Sequence, residues 1–531
     1  MAEGGEKTGT TDDKPDFARG IPAGDLPEGA MIEGTLGEDK VLLLRRDGAV
    51  TAIGARCTHL GAPLAKGIVA EGEIRCPWHH ARFSLETGEA VGAPAFAPLP
   101  CYRAEERDGR ITVTGRREAA DSSGGKSSLG KSSRDKSSLG KSPGKVVIVG
   151  GGAGGHACAE WLARAGHGAA VTLVSDDPDP PYDRTFCSKQ YLSGKAPREK
   201  TRLAPESFYG GEGPRLLRDR VVSLDLGAEE IVTAGGERLA YDALVIATGA
   251  APQTPDLPGF DRPEVHTLRS LADADALIAA AESARRVAVI GASFIGLEVA
   301  AAMIAREKSV TVVAPDAVPL AKVLGEAVGR FVQGLHEEKG VTFRLGRKVE
   351  GFDGTALALD DGSRIEADLV VLGTGVSPRT DLAEAAGLAL AEKDAGGGIV
   401  VDATLAASAP GIYAIGDVAS YPDPRSGRPL RVEHWVHAQR QGQHVARVLL
   451  GETAPFTETP FFWSGHYGTS LRYVGHAGSA EEPRIEGEVG KGDFAVTYRE
   501  DGRDAALATC KRDTRSLEVE AAWDREARAA V

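Results

Sequence analysis

Two short segments of the sequence each pair a cysteine with a histidine, a combination of side chains that binds metal. One residue separates Cys57 from His59, two separate Cys76 from His79, and sixteen lie between the pairs. Two thiolates can bind one iron of a [2Fe–2S] cluster while two imidazoles bind the other. A structural zinc ion also takes two cysteines and two histidines, but its spacings usually pair like with like. The mixed pairs therefore predict a two-iron cluster, with zinc as the alternative.

A glycine-rich turn joins the apolar strand VVIV to an alanine-rich helix, with the spacing Gly150-x-Gly152-x-x-Gly155. Such glycines allow a tight turn and let a pyrophosphate approach the helix N-terminus. The next strand, AVTLVSDD, ends in acidic residues. We expect Asp176, or failing that Asp177, to accept a hydrogen bond from an adenosine ribose.

A second turn repeats the design with one change, Gly291-x-Ser293-x-x-Gly296, where serine replaces the middle glycine. The strand after it ends at Ala314, Asp316 follows, and no arginine or lysine comes next to bind a 2′-phosphate. We therefore predict a second dinucleotide site that prefers NADH to NADPH, with a vestigial domain that binds no nucleotide as the alternative. The predicted contacts of this second nucleotide are Gly291, Ser293, Ile295, Gly296, Glu298 and Gly375.

Two further segments distinguish a flavoprotein from a simple dehydrogenase. LVIATGA places Ala247, Thr248 and Gly249 after an apolar strand, and GIYAIGDVA places Gly416 and Asp417 after another. A carboxylate at Asp417 can accept hydrogen bonds from the ribityl hydroxyls of FAD. Together with both glycine turns, these segments resemble the two-dinucleotide flavoprotein disulfide-reductase superfamily.

The segment PPYDRTFCSKQYLSG resembles the flavin segment of oxygenase-coupled ferredoxin reductases and apoptosis-inducing-factor relatives. The resemblance implies that Arg184 and Lys189 contact FAD. It also implies that Lys189 pairs near flavin N5 with Glu298, which makes these two the expected catalytic residues, and that Trp435 lies near the flavin ring.

The segments CTHLGAPL, CPWHHARF and TGEA resemble Rieske ferredoxins. Ala62 and Trp78 stand where respiratory Rieske proteins have a disulfide, and Ala81 and Phe83 stand where those proteins have hydrogen-bond donors to the cluster. Fewer donors leave the reduced cluster less stabilised, so we predict a potential of roughly −150 mV. We expect His80 to lie beside the cluster or face solvent rather than bind iron.

These residues imply a multidomain fold: an all-β Rieske domain, then an α/β two-dinucleotide flavoprotein with a small α+β C-terminal domain. The Gly/Ser/Lys-rich segment between the two parts predicts a flexible linker. The predicted divisions are 1–18 (disordered), 19–116 (Rieske), 117–144 (linker), 145–265 (FAD, first half), 266–390 (NAD), 391–459 (FAD, second half) and 460–531 (C-terminal).

This order resembles the Rieske-containing, apoptosis-inducing-factor-like oxidoreductases. The resemblance implies electron flow from NADH to FAD, to the cluster, and on to an acceptor protein such as an oxygenase or cytochrome. Two alternatives stay open. Cys187 suggests a disulfide or peroxide reductase if its thiol pKa is lowered, and the relatives suggest a redox sensor of low turnover.

The overall composition limits which binding partners and which cellular compartment we expect. The chain has 531 residues and a net charge of −14, which argues against nucleic acid. It has no long apolar run and no recognisable signal or transit peptide, so we expect a cytoplasmic, bacterial-type protein; an oligomer is compatible with the sequence. The segment GKSSLGKS, Gly125–Ser132, fits a phosphate-loop pattern, but neither flank resembles a strand or helix, so we predict no ATP site.

Overall fold

The computed structural model describes residues 14–117, 142–478 and 482–531, which form two compact units, one up to residue 117 and one from residue 142. Most of the predicted linker, residues 118–141, and residues 1–13 lie outside the described residues. The expected disorder of residues 14–18 is wrong. Phe17 is fully buried in one core of the first unit, and its backbone N–H donates to the Thr35 carbonyl.

The first unit is built from two antiparallel sheets, which confirms the all-β Rieske fold. The larger sheet has the order β1-β10-β9-β4-β3-β2 and the smaller one β5-β6-β7-β8. The strands are β1 (Ile21–Pro22), β2 (Met31–Leu36), β3 (Asp39–Arg46), β4 (Ala49–Gly54), β5 (Ile68–Ala70), β6 (Glu73–Arg75), β7 (Arg82–Ser84), β8 (Ala90–Gly92), β9 (Cys101–Arg107) and β10 (Arg110–Arg116).

The apolar run of β3 explains why this unit has two cores. Successive side chains of a strand point to opposite faces. Leu42 and Leu44 therefore pack with the cysteine loops, while Val41 and Leu43 pack on the other face with Phe17. The loops that carry the predicted cluster ligands are thus fixed to one of the two cores.

The second unit contains two five-stranded parallel sheets of matching design. The first has the order β13-β12-β11-β17-β29 and the second β22-β21-β20-β26-β19. In each sheet a glycine turn follows the central strand, β11 or β20, where the strand order changes direction and where such sheets bind ligands. The helices and strands up to the end of the second sheet are β11 (Val146–Val149), α1 (Ala153–Leu162), β12 (Val171–Ser175), α2 (Thr185–Ser188), β13 (Arg215–Arg218), β14 (Val221–Asp225), β15 (Glu230–Thr233), β16 (Arg238–Ala240), β17 (Ala243–Ile246), β18 (Ala250–Pro252), β19 (Val265–Thr267), α3 (Leu271–Ser283), β20 (Arg286–Ile290), α4 (Phe294–Ala305), β21 (Ser309–Ala314), α5 (Ala321–Glu337), β22 (Thr342–Leu345), β23 (Val349–Phe352), β24 (Ala356–Leu359), β25 (Arg364–Glu366) and β26 (Leu369–Leu372).

The chain then returns to the first parallel sheet, because β29 pairs with β17 in parallel register. This segment ends in helix α7, which packs against α1. The remaining elements are β27 (Val376–Pro378), α6 (Asp381–Ala385), β28 (Ile399–Val400), β29 (Ile412–Ala414), β30 (Ala419–Pro422), β31 (Pro429–Leu430), α7 (Trp435–Leu449), β32 (Phe461–His466), β33 (Thr469–Gly475), β34 (Arg484–Glu488), β35 (Asp493–Glu500), β36 (Arg503–Cys510) and α8 (Asp513–Ala529).

The C-terminal part is an antiparallel sheet of order β32-β33-β36-β35-β34, against which α8 packs. This arrangement confirms the predicted α+β module. Strand β32 also contacts α4 and α5 of the second parallel-sheet domain, so it joins the C-terminal part to the predicted nucleotide site. In the described ranges, no helix combines the length and apolar character needed to cross a membrane.

Candidate functional site

The two cysteine–histidine loops of the first unit have the same backbone pattern. In one loop the Cys57 N–H donates to the Ala62 carbonyl, and in the other the Cys76 N–H donates to the Ala81 carbonyl. The penultimate residue of each loop, Gly61 or His80, has a positive φ, +76° or +59°. His80 is buried and does not face solvent. Two matched loops therefore present one cysteine and one histidine each.

The four predicted ligands meet as one pair of thiols and one pair of imidazoles. Nδ1 of His59 lies 3.2 Å from Nδ1 of His79. The Cys57 and Cys76 thiols are in hydrogen-bonding contact; this contact, followed by burial, raises the pKa of Cys57. A pair of thiols and a pair of imidazole nitrogens are the donor set of a two-iron cluster in which two cysteines bind one iron and two histidines bind the other.

A cavity of about 1080 Å³ in the second unit brings together the residues predicted to bind nucleotides. It is lined by both glycine turns, by the Lys189 segment and by the start of α7. The predicted residues that line it are Gly150, Gly152, Asp176, Arg184, Lys189, Ala247, Thr248, Gly249, Ser293, Ile295, Glu298, Gly375, Gly416, Asp417 and Trp435. The other predicted residues, Gly155, Gly291 and Gly296, do not line the cavity; they allow the tight backbone of the two turns.

The glycines of the first turn are required by its geometry. Gly150 has φ +116°, and a Cβ on Gly155 would come within 1.9 Å of the Gly150 carbonyl oxygen. In contrast, a Cβ on Gly152 would meet nothing within 4 Å, because this residue faces the cavity at the N-terminus of α1. Unpaired N–H groups at a helix N-terminus favour a phosphate, so the turn fits a pyrophosphate.

Two cationic side chains, Arg379 and Arg269, line the cavity, and their positive charge suits a pyrophosphate. Arg379 lies 3.8 Å from Asp176, and Arg269 forms a 2.5 Å ion pair with Asp417. Asp177 accepts from the Tyr182 hydroxyl instead of lining the cavity, so Asp176 is the better placed of the two predicted ribose acceptors. Sequence reasoning missed Arg269, which is 148 residues from its partner.

Two buried donors on the cavity wall have no hydrogen-bond partner among the described residues. They are Nε of Arg269 and Nε1 of Trp435. A buried donor without a partner is costly, and a polar ligand relieves that cost. The cavity volume, the open Gly152 and these donors all fit a bound FAD.

Lys189 and Glu298 meet across the cavity as the resemblance implies. Lys189 Nζ lies 2.8 Å from Glu298 Oε2, which also accepts from the Ser188 hydroxyl, while Oε1 accepts from Ser464. Glu298 is 3% exposed on an otherwise apolar helix, α4. Burial raises the pKa of its carboxyl, but the Lys189 charge and the hydrogen bonds outweigh burial and leave the pKa lowered. The carboxylate is therefore ionised and holds the ammonium in the cavity.

The second glycine turn differs from the first because the hydroxyl of its serine forms hydrogen bonds within the protein. The Ser293 hydroxyl caps α4 by accepting from the Gly296 N–H and donates to the Gly373 carbonyl. No arginine or lysine directly follows Asp316 in the sequence, but the structure places a cation beside it. Lys322, in the first turn of α5, forms a 2.8 Å ion pair with Asp316.

The structure contradicts the lowered thiol pKa that the disulfide- or peroxide-reductase alternative requires at Cys187. The side chain is 2% exposed, and burial raises its pKa to about 12. A thiol in that state has almost no thiolate at neutral pH, and the thiolate is the reactive form. The cavity wall therefore holds Cys187 as a small packed side chain.

Two glycine-turn domains that share one cavity, next to a buried Lys–Glu pair, define the class of two-dinucleotide flavoproteins. The chain belongs to the pyridine nucleotide-disulphide oxidoreductase family, which residues 144–442 match. Residues 19–103 match the Rieske [2Fe-2S] domain, in agreement with the two ligand loops and against the zinc alternative. The two assignments support FAD and a [2Fe–2S] cluster as cofactors.

Known relatives share one or both parts of this architecture. Apoptosis-inducing factor 3 of Mus musculus is 32% identical over 92% of this chain and 81% of its own length. Putidaredoxin reductase CamA of Pseudomonas putida is 33% identical over 69% of this chain and 88% of its own length. The solved covalent putidaredoxin reductase–putidaredoxin complex aligns with a TM-score of 0.67 at 32% identity, covering 72% of this chain and 93% of that one. The protein is therefore an oxidoreductase of the ferredoxin-reductase type with a Rieske domain.

Proposed function

We propose that this protein takes electrons from NADH onto FAD, passes them to its own Rieske cluster, and delivers them to a separate acceptor protein. The observation that carries the proposal is the single cavity in which both glycine turns meet the Lys189–Glu298 pair. The same chain carries the cysteine–histidine loops of an electron carrier. The proposal thus assigns the NADH site, the FAD site and the electron carrier to one polypeptide.

The residues of the cavity would bind, orient and protect the reactants. The Gly150–Gly155 turn and Arg379 would hold the FAD pyrophosphate, and Asp417 the ribityl chain. When bound, FAD supplies the conversion of a two-electron hydride into single electrons. Lys189, held in place by Glu298, would put a positive charge beside the bound FAD, where negative charge develops on reduction, and so stabilise the reduced FAD.

NADH is the proposed donor because the end of β21 offers a carboxylate to the adenosine ribose. Ala314 ends the strand and Asp316 follows, so Asp316 would accept from a 2′-hydroxyl and repel a 2′-phosphate. Its ion pair with Lys322 weakens this discrimination, because the ammonium neutralises part of the charge. We therefore propose a moderate preference for NADH over NADPH.

The acceptor is proposed to be a one-electron protein such as an oxygenase or a cytochrome. The ferredoxin reductases similar to this chain are named for a separate ferredoxin substrate. Here the Rieske domain is covalently attached, which gives it an effective concentration of about the mM scale at the flavin.

Anaerobic titration with NADH tests the route. FAD accepts two electrons and the cluster one, so the full chain should be saturated by about 1.5 NADH per chain. A His79→Ala variant, which loses a cluster ligand, should need about one NADH because only FAD remains. If both proteins are saturated at the same ratio, the cluster receives no electrons from the flavin and the proposal fails.

A low-turnover sensor is the second candidate, favoured by the similarity to apoptosis-inducing factor 3 over 92% of this chain. It predicts a change of oligomeric state on NADH binding, which sizing with and without NADH measures. Rapid steady-state turnover with an artificial acceptor would count against it.

A further inference from the structure

A continuous row of hydrogen-bonding side chains runs from Glu298 through the C-terminal part of the second unit. Ser464 Oγ lies 2.7 Å from Glu298 Oε1 and 3.1 Å from His466 Nε2. His466 Nδ1 is 3.1 Å from His336 Nε2, and His336 Nδ1 is 3.2 Å from the Tyr467 hydroxyl. We name these four residues, Ser464, His466, His336 and Tyr467, the relay.

The relay is built by three elements that meet at this point. Ser464 and His466 are alternate residues of β32, so both side chains point to the same face of the strand. His336 lies in the last turn of α5 and packs edge-on against His466. Ser464 and both histidines are buried, whereas Tyr467 is half-buried in the turn after β32. The relay therefore connects the buried carboxylate in the cavity to the protein surface.

The hydrogen-bonding roles in the relay follow from the ionised state of Glu298. Ser464 donates to the carboxylate, so its oxygen accepts from Nε2–H of His466. His466 then accepts at Nδ1 from Nε2–H of His336, which accepts from the Tyr467 hydroxyl. Each link contains one proton and both imidazoles are neutral. Burial lowers the pKa of His336 to about 3 and of His466 to about 4, which agrees with neutral rings.

We infer that the relay carries to the surface the proton that NADH oxidation leaves in the cavity. This inference rests on the proposed function. Each NADH that becomes NAD⁺ gives up two electrons and one proton, and the [2Fe–2S] carrier takes electrons one at a time. Since the electrons leave through the carrier, one proton per NADH must leave the cavity separately. Glu298 is the first acceptor that the relay offers.

The transfer balances as the exchange of two arrangements that differ by one proton. With Glu298 protonated, every hydrogen bond points outward: Glu298 donates to Ser464, and both histidines carry their proton on Nδ1. One proton then moves outward across each link, Tyr467 releases one to water, and the histidines become Nε2–H tautomers. Glu298 is left ionised, so no imidazole carries a net charge before or after the transfer.

At the inner end of the relay, Glu298 also accepts from Ser188 and Lys189. In the part of the chain that the structure describes, the charges that act on His466 are Glu298, which raises its pKa, and Lys189, which lowers it. The outer histidine packs against the rings of Phe343 and Tyr467.

The test uses the full holoenzyme and the variant His466→Gln, whose amide keeps the shape of the link but cannot pass a proton by changing tautomer. Tyr467→Phe interrupts the outer link independently. Tyr498→Phe is the matched control, since it removes a buried hydroxyl of the same sheet that donates to the Leu324 carbonyl and takes no part in the relay. Proton release after mixing with NADH and excess one-electron acceptor is followed with a pH-indicator dye, in H₂O and in D₂O.

Both relay variants should release the proton roughly 10²-fold more slowly than wild type and Tyr498→Phe, with the flavin potential unchanged. In the wild type the release should be slower in D₂O than in H₂O, because a proton crosses every link of the relay. Equal release rates in all four proteins would overturn the relay. Failure of the wild type to bleach its flavin with NADH would instead overturn the proposed function.

A second measurement is independent of turnover. ¹⁵N NMR of histidine-labelled protein at pH 7 should show His336 and His466 neutral and protonated on Nε2. A charged imidazole at either position would contradict the relay even if no NADH were added.

Discussion

Replacing Lys189 by methionine should leave Glu298 as a buried carboxylate without its cation. Removing one partner of a buried ion pair costs about 3–5 kcal/mol. The cost here should be lower, about 2–3 kcal/mol, because Lys189 is 17% exposed and the carboxylate keeps its bonds to Ser188 and Ser464. The double variant Lys189→Met/Glu298→Gln removes the unpaired charge and should lose only about 1 kcal/mol.

The loss should also depend on pH in a defined direction. In the wild type the folded pKa of Glu298 is lowered, so its stabilising contribution is complete above the unfolded pKa and is lost only as pH falls through the folded pKa. Without Lys189, burial dominates and raises the folded pKa, which penalises folding at high pH. The deficit of Lys189→Met relative to wild type should therefore shrink as pH falls from about 8 to about 5.

Urea unfolding at matched flavin saturation measures these differences, because bound FAD itself stabilises the fold. The fluorescence of Trp435 and Trp463, which line the cavity, reports on this region. Equal losses in the single and double variants at pH 8, or a deficit independent of pH, would refute an ionised, lysine-paired Glu298.

Four other measurements test separate features of the protein. Gly155→Ala should shift α1, because its Cβ would collide with the Gly150 carbonyl, and should lower the flavin content of purified protein; full occupancy would contradict the fit. Cys187→Ser should leave NADH oxidation unchanged within about twofold, and the wild-type thiol should alkylate slowly at pH 8 because its pKa is about 12; NADH-dependent peroxide turnover lost in the variant would contradict this. Lys322→Gln should raise the ratio of kcat/KM for NADH over NADPH and Asp316→Asn should lower it, and opposite changes would place the ribose elsewhere. Redox titration of the cluster should give a potential of roughly −150 mV, and a value above about +100 mV would contradict the few-donor argument.

The local motifs were predictable because their spacing fixes their geometry. The glycine turns and the Asp417 segment lie where a strand ends and a turn begins, the Lys189 segment lies at the end of the short helix α2, and all of them line one cavity. The four predicted cluster ligands meet in pairs because each loop closes on its own backbone; they are Cys57, His59, Cys76 and His79.

What the sequence did not reveal depends on contacts between distant segments. Arg269 reaches Asp417 from another domain, and His336 reaches His466 across 130 residues. No periodicity or spacing marks such pairs before the chain folds. Burial is likewise a tertiary property, so the raised pKa of Cys187 and the packing of Phe17 were not predictable from neighbouring residues.

Rapid mixing of the anaerobic full chain with NADH, followed by freeze-quenching, measures both electron transfers in one experiment. The flavin absorbance reports the first transfer, and the EPR signal of the reduced Rieske cluster reports the second. We expect the flavin to bleach first and the cluster signal then to rise in the same molecules. A flavin that bleaches while the cluster stays oxidised would contradict the route from NADH through FAD to the cluster.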